Sequence, residues 1–222
     1  MTSRQAKPFH GRRKGKRLRP HQAGLMTSLL PRIAVDVEGL RTEARSGRLL
    51  RLEIGFGGGE HLAHEALAHP DVDFIGCEPF ENGVAKLMAL VEEHAIGNVR
   101  VHCGDARDVI DALPDGSLDR VAILYPDPWP KLRHRKRRFV SDATLRAIAR
   151  VLSPGAELRF ATDIDDYAGW TLARVLRSDD FEWKAKRAED WLTPWAGWPG
   201  TRYEAKAIRE GRRPVYLTFI RR

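Results

Sequence analysis

The stretch best suited to chemistry begins at Tyr125, where one carboxylate, Asp127, lies between two prolines and is followed by a dense run of cations. Proline fixes its own φ and pushes the preceding residue toward extended geometry, so we expect residues 125–130 to have few conformations and to aim Asp127 in advance. Residues 131–138 hold six bases and no acid. A fixed carboxylate beside such a run favours chemistry on a polyanion, although by charge alone a solvated surface loop is the commoner outcome.

A second candidate site follows the first predicted strand, residues 49–54, where Gly55-Phe-Gly-Gly-Gly59 leads into a helical segment over 60–68. Glycines allow a sharp turn and a close approach of the backbone to a ligand, and a helix start offers unpaired N–H groups to a negative group. A dinucleotide fingerprint needs glycine at its sixth position, which is Glu60 here, so the spacing argues against NAD. Glycine clusters also occur in ordinary strand-to-helix turns.

Three acids stand at the ends of three successive predicted strands. Glu53 is near the end of the first strand, Glu78 ends the second, at 72–77, and Asp105 follows the third, at 98–103. The carboxyl ends of the strands form the ligand-binding edge of an open α/β sheet. Any one of these acids could be a solvated strand end or a helix cap. That explanation is less suited to all three together, which favours a ligand site at this edge.

The elements that must position these residues alternate between apolar runs and segments of helical period, which predicts an α/β fold of parallel strands joined by helices. Helices are expected around 84–91 and 145–152, with Ser141 as the N-cap of the second, and another is expected to start at Asp163. The remaining strands are predicted over residues 118–125, 156–162, 181–185 and 214–220.

The net charge resides in the N-terminal tail. The chain of 222 residues has 38 lysines and arginines against 30 acids, and its first twenty residues hold eight of those bases and no acid. Removing these eight leaves 30 bases against 30 acids. We therefore expect a flexible basic tail, residues 1–24, and a single domain, residues 25–222. An apolar content of 42% is enough for a core, which excludes a disordered or fibrous chain.

Several other classes are disfavoured by the sequence. No segment has the roughly 20 apolar residues that span a bilayer, and the tail lacks the hydrophobic part of a secretory signal, so we expect a cytoplasmic protein with no membrane contact. Cys77 and Cys103 form no CxxC pair, and His64 and His69 are five residues apart rather than four. We therefore expect no disulfide framework and no metal site.

Two motifs resemble known families. Glu53 stands two residues before Gly-x-Gly-x-Gly, an arrangement that resembles motif I of class I S-adenosylmethionine-dependent methyltransferases. With Leu-Glu-Ile-Gly-Phe-Gly upstream, the segment Pro126-Asp-Pro-Trp129, followed by a lysine and an Arg-rich run, looks like the bacterial tRNA (guanine-N7-)-methyltransferase family. The resemblance covers nearly the whole chain after the tail. It implies a Rossmann-like sheet, mostly parallel with an antiparallel C-terminal strand and helices on both faces.

The resemblance also implies roles for individual residues. Glu53 is expected near the methionine amino group of S-adenosylmethionine, Glu78 at the ribose hydroxyls, and Asp105 or its loop at the adenine amine. Asp127 is expected to be catalytic and to border the cofactor. The remaining cofactor contacts are expected at Gly55, Gly57 and Gly59. Substrate contacts are expected at Lys131, Arg133, Arg135, Lys136, Arg137, Arg138, Asp163, Thr201 and Glu204.

The motif Thr201-x-x-Glu204 has two interpretations that can coexist. It matches a substrate-contacting position of the family, and it is also a capping box, in which a helix start satisfies its own N–H groups. Ala207 stands where the family commonly has glycine, which favours a continued helix. Trp191, Trp195 and Trp198 cluster just before this motif, and core packing is favoured over base stacking for each.

These observations predict a methyltransferase acting on N7 of a guanine in tRNA, by resemblance the variable-loop guanosine 46, with the tail and the basic run holding phosphates. One alternative is an amino-group methyltransferase, although its Asp-Pro-Pro-aromatic motif has Trp129 here in place of the second proline. Another is an RNA-binding protein that keeps the fold without activity. The sequence leaves the oligomeric state, monomer or homodimer, open.

Overall fold

The computed structural model describes residues 11–41 and 47–222, which form a seven-stranded sheet with helices on both faces. The strands are β1 Leu49–Ile54, β2 Val72–Cys77, β3 Val99–His102, β4 Leu118–Leu124, β5 Leu152–Thr162, β6 Phe181–Trp183 and β7 Val215–Arg221. The α-helices are α1 Pro20–Ser28, α2 Leu30–Ile33, α3 Glu60–Ala68, α4 Glu81–Glu93, α5 Ala106–Ala112, α6 Asp142–Val151, α7 Asp165–Val175, α8 Glu189–Leu192 and α9 Arg202–Arg209. Two 3₁₀ helices cover Gly39–Arg41 and Leu132–Arg137.

The strand order is β3-β2-β1-β4-β5-β7-β6. Strands β1 to β5 pair in parallel, and β7 lies antiparallel between β5 and β6. The predicted sheet, mostly parallel with an antiparallel C-terminal strand, is therefore confirmed. Ile54 is in register with both Cys77 and Ile123, so the loops that follow β1, β2 and β4 leave the sheet at one edge. Among the described helices, none is long and apolar enough to cross a membrane.

Each face of the sheet has its own core. On one face, Val109 of α5, Leu145 of α6 and Val175 of α7 pack against β1, β4 and β5. On the other face, Leu62 of α3 and Leu87 of α4 pack against β2 and β3. Their burial supplies the main stabilisation, on the order of 1.5–3 kcal/mol for each large apolar side chain.

Most predicted element boundaries agree with the structure, and β1, β2 and α3 agree to the residue. Helix α7 begins at Asp165 rather than at Asp163, because Asp163 is held by Arg212 and the N–H of Ile164 is bound by the Thr162 hydroxyl. Strand β5 begins at residue 152 rather than at 156, with a register shift against β4 that its Ser-Pro-Gly sequence did not reveal. Ser141 caps α6 as expected.

Part of the predicted tail lies against the domain. Helix α1 starts at Pro20, so the expected tail boundary at residue 24 falls inside a helix. Ahead of it, the Arg13 carbonyl accepts from the N–H of Glu81 at 2.9 Å. The Asn82 side chain accepts from the N–H of Gly15 at 2.8 Å and donates to the carbonyl of residue 16 at 2.7 Å. Residues 1–10 of the predicted tail are outside the described residues.

Candidate active site

A cavity of about 490 Å³ opens at the carboxyl edge of β1, β2 and β4. The glycine loop after β1, the connections from β2 to α4 and from β3 to α5, and the segment after β4 form its walls. The predicted residues among its lining are Gly55, Gly57, Glu78, Asp105, Asp127, Lys136, Arg137 and Arg138. Lining residues that the sequence analysis missed include Gly11, Arg12, Phe80 and Tyr203.

Glu78 joins two walls of this cavity. One of its carboxylate oxygens accepts from the N–H of Gly57 at 2.8 Å, and the other accepts from the N–H of Phe80 at 2.9 Å. Burial raises the pKa of Glu78, and these two N–H groups offset part of that rise. Because each oxygen has a second lone pair, the fixed carboxylate can still accept from ligand hydroxyls.

The glycine loop adopts backbone conformations that favour glycine. The φ angles of Gly55, Gly57 and Gly59 are +73°, +60° and +82°. Helix α4 lies directly against this loop, since a Cβ placed on Gly83 would stand 2.1 Å from the carbonyl oxygen of Gly57. The missing side chain of Gly83 therefore permits the close approach that shapes this wall of the cavity.

Asp105 caps the start of α5. Its carboxylate accepts from the backbone N–H of Arg107 at 3.0 Å and from the Nε–H of the same residue at 2.9 Å. The neighbouring residues Gly104 and Ala106 line the cavity together with Asp105. Because the carboxylate already has these partners, the backbone of the loop is the better-suited part of this segment for a ligand amine.

Glu53 is buried and does not belong to the cavity lining. Its carboxylate instead contacts Nδ1 of His61, in the first turn of α3, at 2.7 Å. Although burial lowers the pKa of His61, the charge and hydrogen bond of Glu53 outweigh that effect and raise it. The His61 ring also packs against Trp198, with the ring centroids 4.8 Å apart. Glu53 is thus linked to the segment before α9.

Asp127 stands at the cavity with its carboxylate available. Within residues 11–41 and 47–222, this carboxylate has no hydrogen-bond or ion-pair partner, and burial raises its pKa. The backbone on both sides differs from the extended geometry expected before proline, since φ is +49° at Tyr125 and +42° at Trp129. Positive φ is an outlier for a bulky residue, and such strain is typical of functional sites.

The basic run forms the 3₁₀ helix Leu132–Arg137 rather than an irregular loop. Lys131 and Arg133 are exposed, which suits the predicted phosphate contacts. The Arg137 guanidinium lies 4.9 Å from the centre of the Trp129 ring. Arg135 forms an ion pair with Asp166 at 2.7 Å.

Arg138 differs from the other cations of the run. Its side chain has no exposed surface, and its Nε donates to the carbonyl of Pro128 at 2.8 Å. In this position it cannot meet a phosphate at the surface. The substrate contact expected at Arg138 stays a prediction, although packing has directed its guanidinium into the interior, where the residue borders the cavity.

Thr201 and Glu204 form the capping box at the start of α9. Glu204 is buried and also accepts from Nε1 of Trp198 at 2.6 Å and from the hydroxyl of Tyr216. The helix continues through Ala207 as expected. The capping interpretation is thus confirmed, and the substrate contact stays a prediction, as neither residue lines the cavity.

Asp163, the remaining predicted substrate residue, also lies outside the cavity lining. Its carboxylate accepts from Nε of Arg212 at 2.5 Å. Trp195 and Trp198 pack on each other and on Tyr216, in agreement with core packing. Elsewhere in the described chain, no group of three His, Cys, Asp or Glu side chains is arranged to hold a metal ion.

The missed residues had weak sequence signals. Tyr203 lies inside the Thr-x-x-Glu motif, and its ring stands 3.2 Å from where a Cβ on Gly57 would be. Only the placement of α9 over the glycine loop reveals that contact. His61 follows the acid of motif I by eight residues, so the start of α3 had to be known before the two could be paired.

The close approach of Gly83 to the glycine loop predicts that Gly83→Ala distorts the cavity. The added methyl group overlaps the Gly57 carbonyl, so we expect at least about a tenfold loss of affinity for S-adenosylmethionine and about 1–3 kcal/mol less stability. Titration calorimetry and urea denaturation measure the two effects. The matched control is Gly169→Ala in α7, where a Cβ meets nothing within 4 Å. If Gly83→Ala and Gly169→Ala bound S-adenosylmethionine with equal affinity, the proposed role of Gly83 in shaping the cavity would be contradicted.

The contact between Glu53 and His61 predicts a pH dependence of stability. Because the folded-state pKa of His61 is raised, its contribution is complete below about pH 6.5 and is lost as the pH rises through the folded-state value. Glu65 acts in the same direction and Arg159 opposes it. We expect the unfolding free energy of the wild type to fall over this range more steeply than that of His61→Gln. Urea denaturation from pH 5.5 to 9 measures this difference. If the unfolding free energies of the two proteins changed in parallel with pH, the contact between Glu53 and His61 would not be coupled to folding.

Comparison with known proteins adds to this geometry. A family model described as a putative methyltransferase matches residues 48–217. A relative from Agrobacterium fabrum named tRNA (guanine-N(7)-)-methyltransferase is 53% identical over 99% of this chain and 97% of its own length. A relative of the same name from Nitrobacter winogradskyi is 53% identical over 96% of this chain and 85% of its own length.

Solved structures with this fold include two enzymes that act on ribosomal RNA. The 16S rRNA methyltransferase KamB has a TM-score of 0.54 and 19% identity, covering 85% of this chain and 95% of its own. An rRNA methylase from Streptococcus thermophilus has a TM-score of 0.54 and 12% identity, covering 83% and 93%. Likeness at these identities shows the fold alone. The sequence identity to the curated relatives shows the family, and this chain belongs to the tRNA (guanine-N7-)-methyltransferases.

Proposed function

We propose that this protein transfers the methyl group of S-adenosylmethionine to N7 of a guanine in tRNA, by family resemblance the variable-loop guanosine 46. The observation that carries the proposal is the position of Asp127. Its carboxylate borders a cavity that also contains the glycine loop and Glu78, with cations at Lys136 and Arg137. The 53% identity to relatives named for this activity supports the same conclusion.

The residues of the cavity fit S-adenosylmethionine. A volume of about 490 Å³ is in the usual range for pockets that hold small molecules. Glu78 is held by two backbone N–H groups and keeps acceptor capacity for ribose hydroxyls. At Gly55 a Cβ would meet nothing within 4 Å, so the backbone there is open to a ligand. When bound, S-adenosylmethionine supplies an electrophilic methyl group on a sulfonium.

Methylation at N7 requires positioning rather than a strong base, since N7 of neutral guanine has a lone pair and no proton. Asp127 can accept from the N1–H and the exocyclic amine of guanine and can balance the positive charge that the purine gains. A bidentate contact of this kind discriminates between bases by about 1–3 kcal/mol. The strained backbone at Tyr125 and Trp129 supports this role, because such strain persists only where the surrounding structure holds the loop in one arrangement.

The cations around the cavity suit a folded RNA. Arg12 from the tail lines the same cavity as Lys136 and Arg137 from the 3₁₀ helix, and Lys131 and Arg133 are exposed nearby in the sequence. Such side chains position an RNA by its phosphates, while Asp127 addresses the base. A tRNA substrate supports the expected cytoplasmic location.

The proposal is tested by incubating the protein with tRNA and S-adenosylmethionine and analysing the nucleosides by mass spectrometry. We expect 7-methylguanosine, and digestion into fragments should place it at guanosine 46. Methylation of an exocyclic amine would favour the amino-group alternative, and binding without methylation would favour an inactive RNA-binding protein. Asp127→Ala should lower kcat on the order of 10²-fold or more, since it removes the group that stabilises the developing charge. The control Asp179→Ala alters an exposed carboxylate that belongs to none of these contacts.

The tail is expected to bind phosphates. Deleting residues 1–19, which leaves α1 intact, should raise the Kd for tRNA and flatten its salt dependence by about 0.9 for each lost phosphate contact in a duplex region. A full-length variant with glutamine at Arg12, Arg13, Lys14 and Lys16 separates charge from the loss of chain. Filter binding at several salt concentrations measures both. A slope equal to that of the wild type in both variants would refute phosphate binding by the tail.

A further inference from the structure

We propose that Arg138 is a positioning residue for Asp127 and not a contact to RNA. The inference rests on the proposed function, since it assigns to one cation of the basic run a task inside the same site. The guanidinium of Arg138 holds the Pro128 carbonyl against the start of α7, and so keeps the loop that bears Asp127 in place.

Burial separates Arg138 from the other cations of the run. Its side chain has 0% exposed surface, whereas Lys131 and Arg133 are exposed. A guanidinium that contacts a phosphate must reach solvent. A buried one is costly unless the surrounding protein supplies partners, so the partners of Arg138 indicate what it does.

Those partners belong to two different parts of the site. Nε of Arg138 donates to the Pro128 carbonyl at 2.8 Å, immediately after Asp127. Nη2 donates to the carboxylate of Asp166, in the first turn of α7, and forms an ion pair with it. This hydrogen bond lowers the pKa of Asp166. The guanidinium thus bridges the loop that bears Asp127 and helix α7, which packs on the sheet.

Aromatic rings hold the guanidinium in this orientation. Its central carbon lies 4.8 Å from the ring centre of Tyr167 and 5.0 Å from that of Trp170, both in α7. The same two side chains bind the backbone two residues further on, since the Tyr167 hydroxyl accepts from the N–H of Val140 at 3.3 Å and Nε1 of Trp170 donates to the Val140 carbonyl at 2.8 Å. These side chains therefore form a binding site that fits one guanidinium.

A lysine cannot replace this arginine. The planar guanidinium presents donors along separate edges while its faces stack on aromatic rings, and an ammonium group offers one compact charge. The loop needs such an external contact because Tyr125 and Trp129 hold positive φ on either side of Asp127. Without it, we expect the strained backbone to relax and the carboxylate to move.

The two roles predict different results for Arg138→Lys. A phosphate contact would tolerate lysine, because the charge is kept. A positioning role predicts that kcat falls on the order of 10- to 100-fold, as misplacement by about 1 Å does. KM for tRNA and the salt dependence of binding should stay close to those of the wild type. Arg133→Ala, by contrast, should raise KM and reduce the salt slope.

A second variant guards against a simple loss of folding. Asp166→Asn removes only the charge of a partner that is 45% exposed, and it should lower kcat in the same direction by a smaller factor. Arg146→Ala, an exposed position on α6, is the control. The stoichiometry of S-adenosylmethionine binding, measured by calorimetry, reports the folded fraction. The inference is overturned if Arg138→Lys keeps wild-type kcat, or if its loss appears in KM and the salt slope.

Hydrogen exchange tests the same inference without relying on methylation. We expect the amides of Tyr125, Asp127, Trp129 and Lys131, the residues of this loop that are not proline, to exchange at least about tenfold faster in Arg138→Lys than in the wild type. In Arg146→Ala they should exchange at the wild-type rate. Unchanged exchange in Arg138→Lys would overturn the inference. If the wild type itself formed no 7-methylguanosine, the proposed function would fail, and this exchange result would still decide what holds the loop.

Discussion

The site depends on one buried carboxylate that binds two backbone N–H groups. Glu78 fixes the glycine loop after β1 to the connection that begins α4, and the absence of a side chain at Gly83 lets the helix close against the carbonyl of Gly57. These contacts set the width of the cavity before any ligand is present. Because buried polar groups are costly without partners, the same bonds that satisfy the loop also shape it.

The opposite side of the cavity is held by a different principle. The loop of Asp127 is short, rich in proline and strained, and its carboxylate faces the cavity without a recorded partner in the described chain. A preorganised acceptor of this kind avoids reorganisation when charge develops. Glu78 therefore uses its partners to build the cavity, whereas the loop of Asp127 is contacted through its backbone, at the Pro128 carbonyl, so that the acceptors of the carboxylate are left for a ligand. The two carboxylates follow β2 and β4, the strands on either side of β1, and they have different roles.

Much of the fold could be predicted from the sequence, and the reasons are local. The bounds of β1, β2 and α3 follow from apolar runs that end at glycines and acids, and Ser141 was identifiable as a cap from its neighbours alone. The motif around Asp127 could likewise be identified, because its residues are consecutive in the sequence. Residues whose contacts depend on a distant partner were missed or could not be told apart from their neighbours. Arg138 looks like any cation of its run until Asp166, 28 residues away, is known to lie beside it.

The same distinction explains the acids. Glu53 matches motif I by spacing, yet its partner His61 depends on the first turn of α3 facing the strand end. Thr201 and Glu204 form a capping box that could be identified locally, while the bonds of Glu204 to Trp198 and Tyr216 required the packing of β7. Spacing therefore indicated which residues matter, and tertiary contacts determined which atoms they engage.

The way in which the first residues of the described chain attach to α4 has an evolutionary consequence. Glu81 and Asn82 hold this segment through its peptide groups at residues 13, 15 and 16. These contacts do not depend on most of the side chains in the segment. Gly15 is the exception, since a methyl group would stand 2.6 Å from the Asn82 amide oxygen. The backbone attachment can therefore persist while side chains of the segment change, provided that Gly15 is kept, although Lys14 also pairs with Glu81 at 3.6 Å.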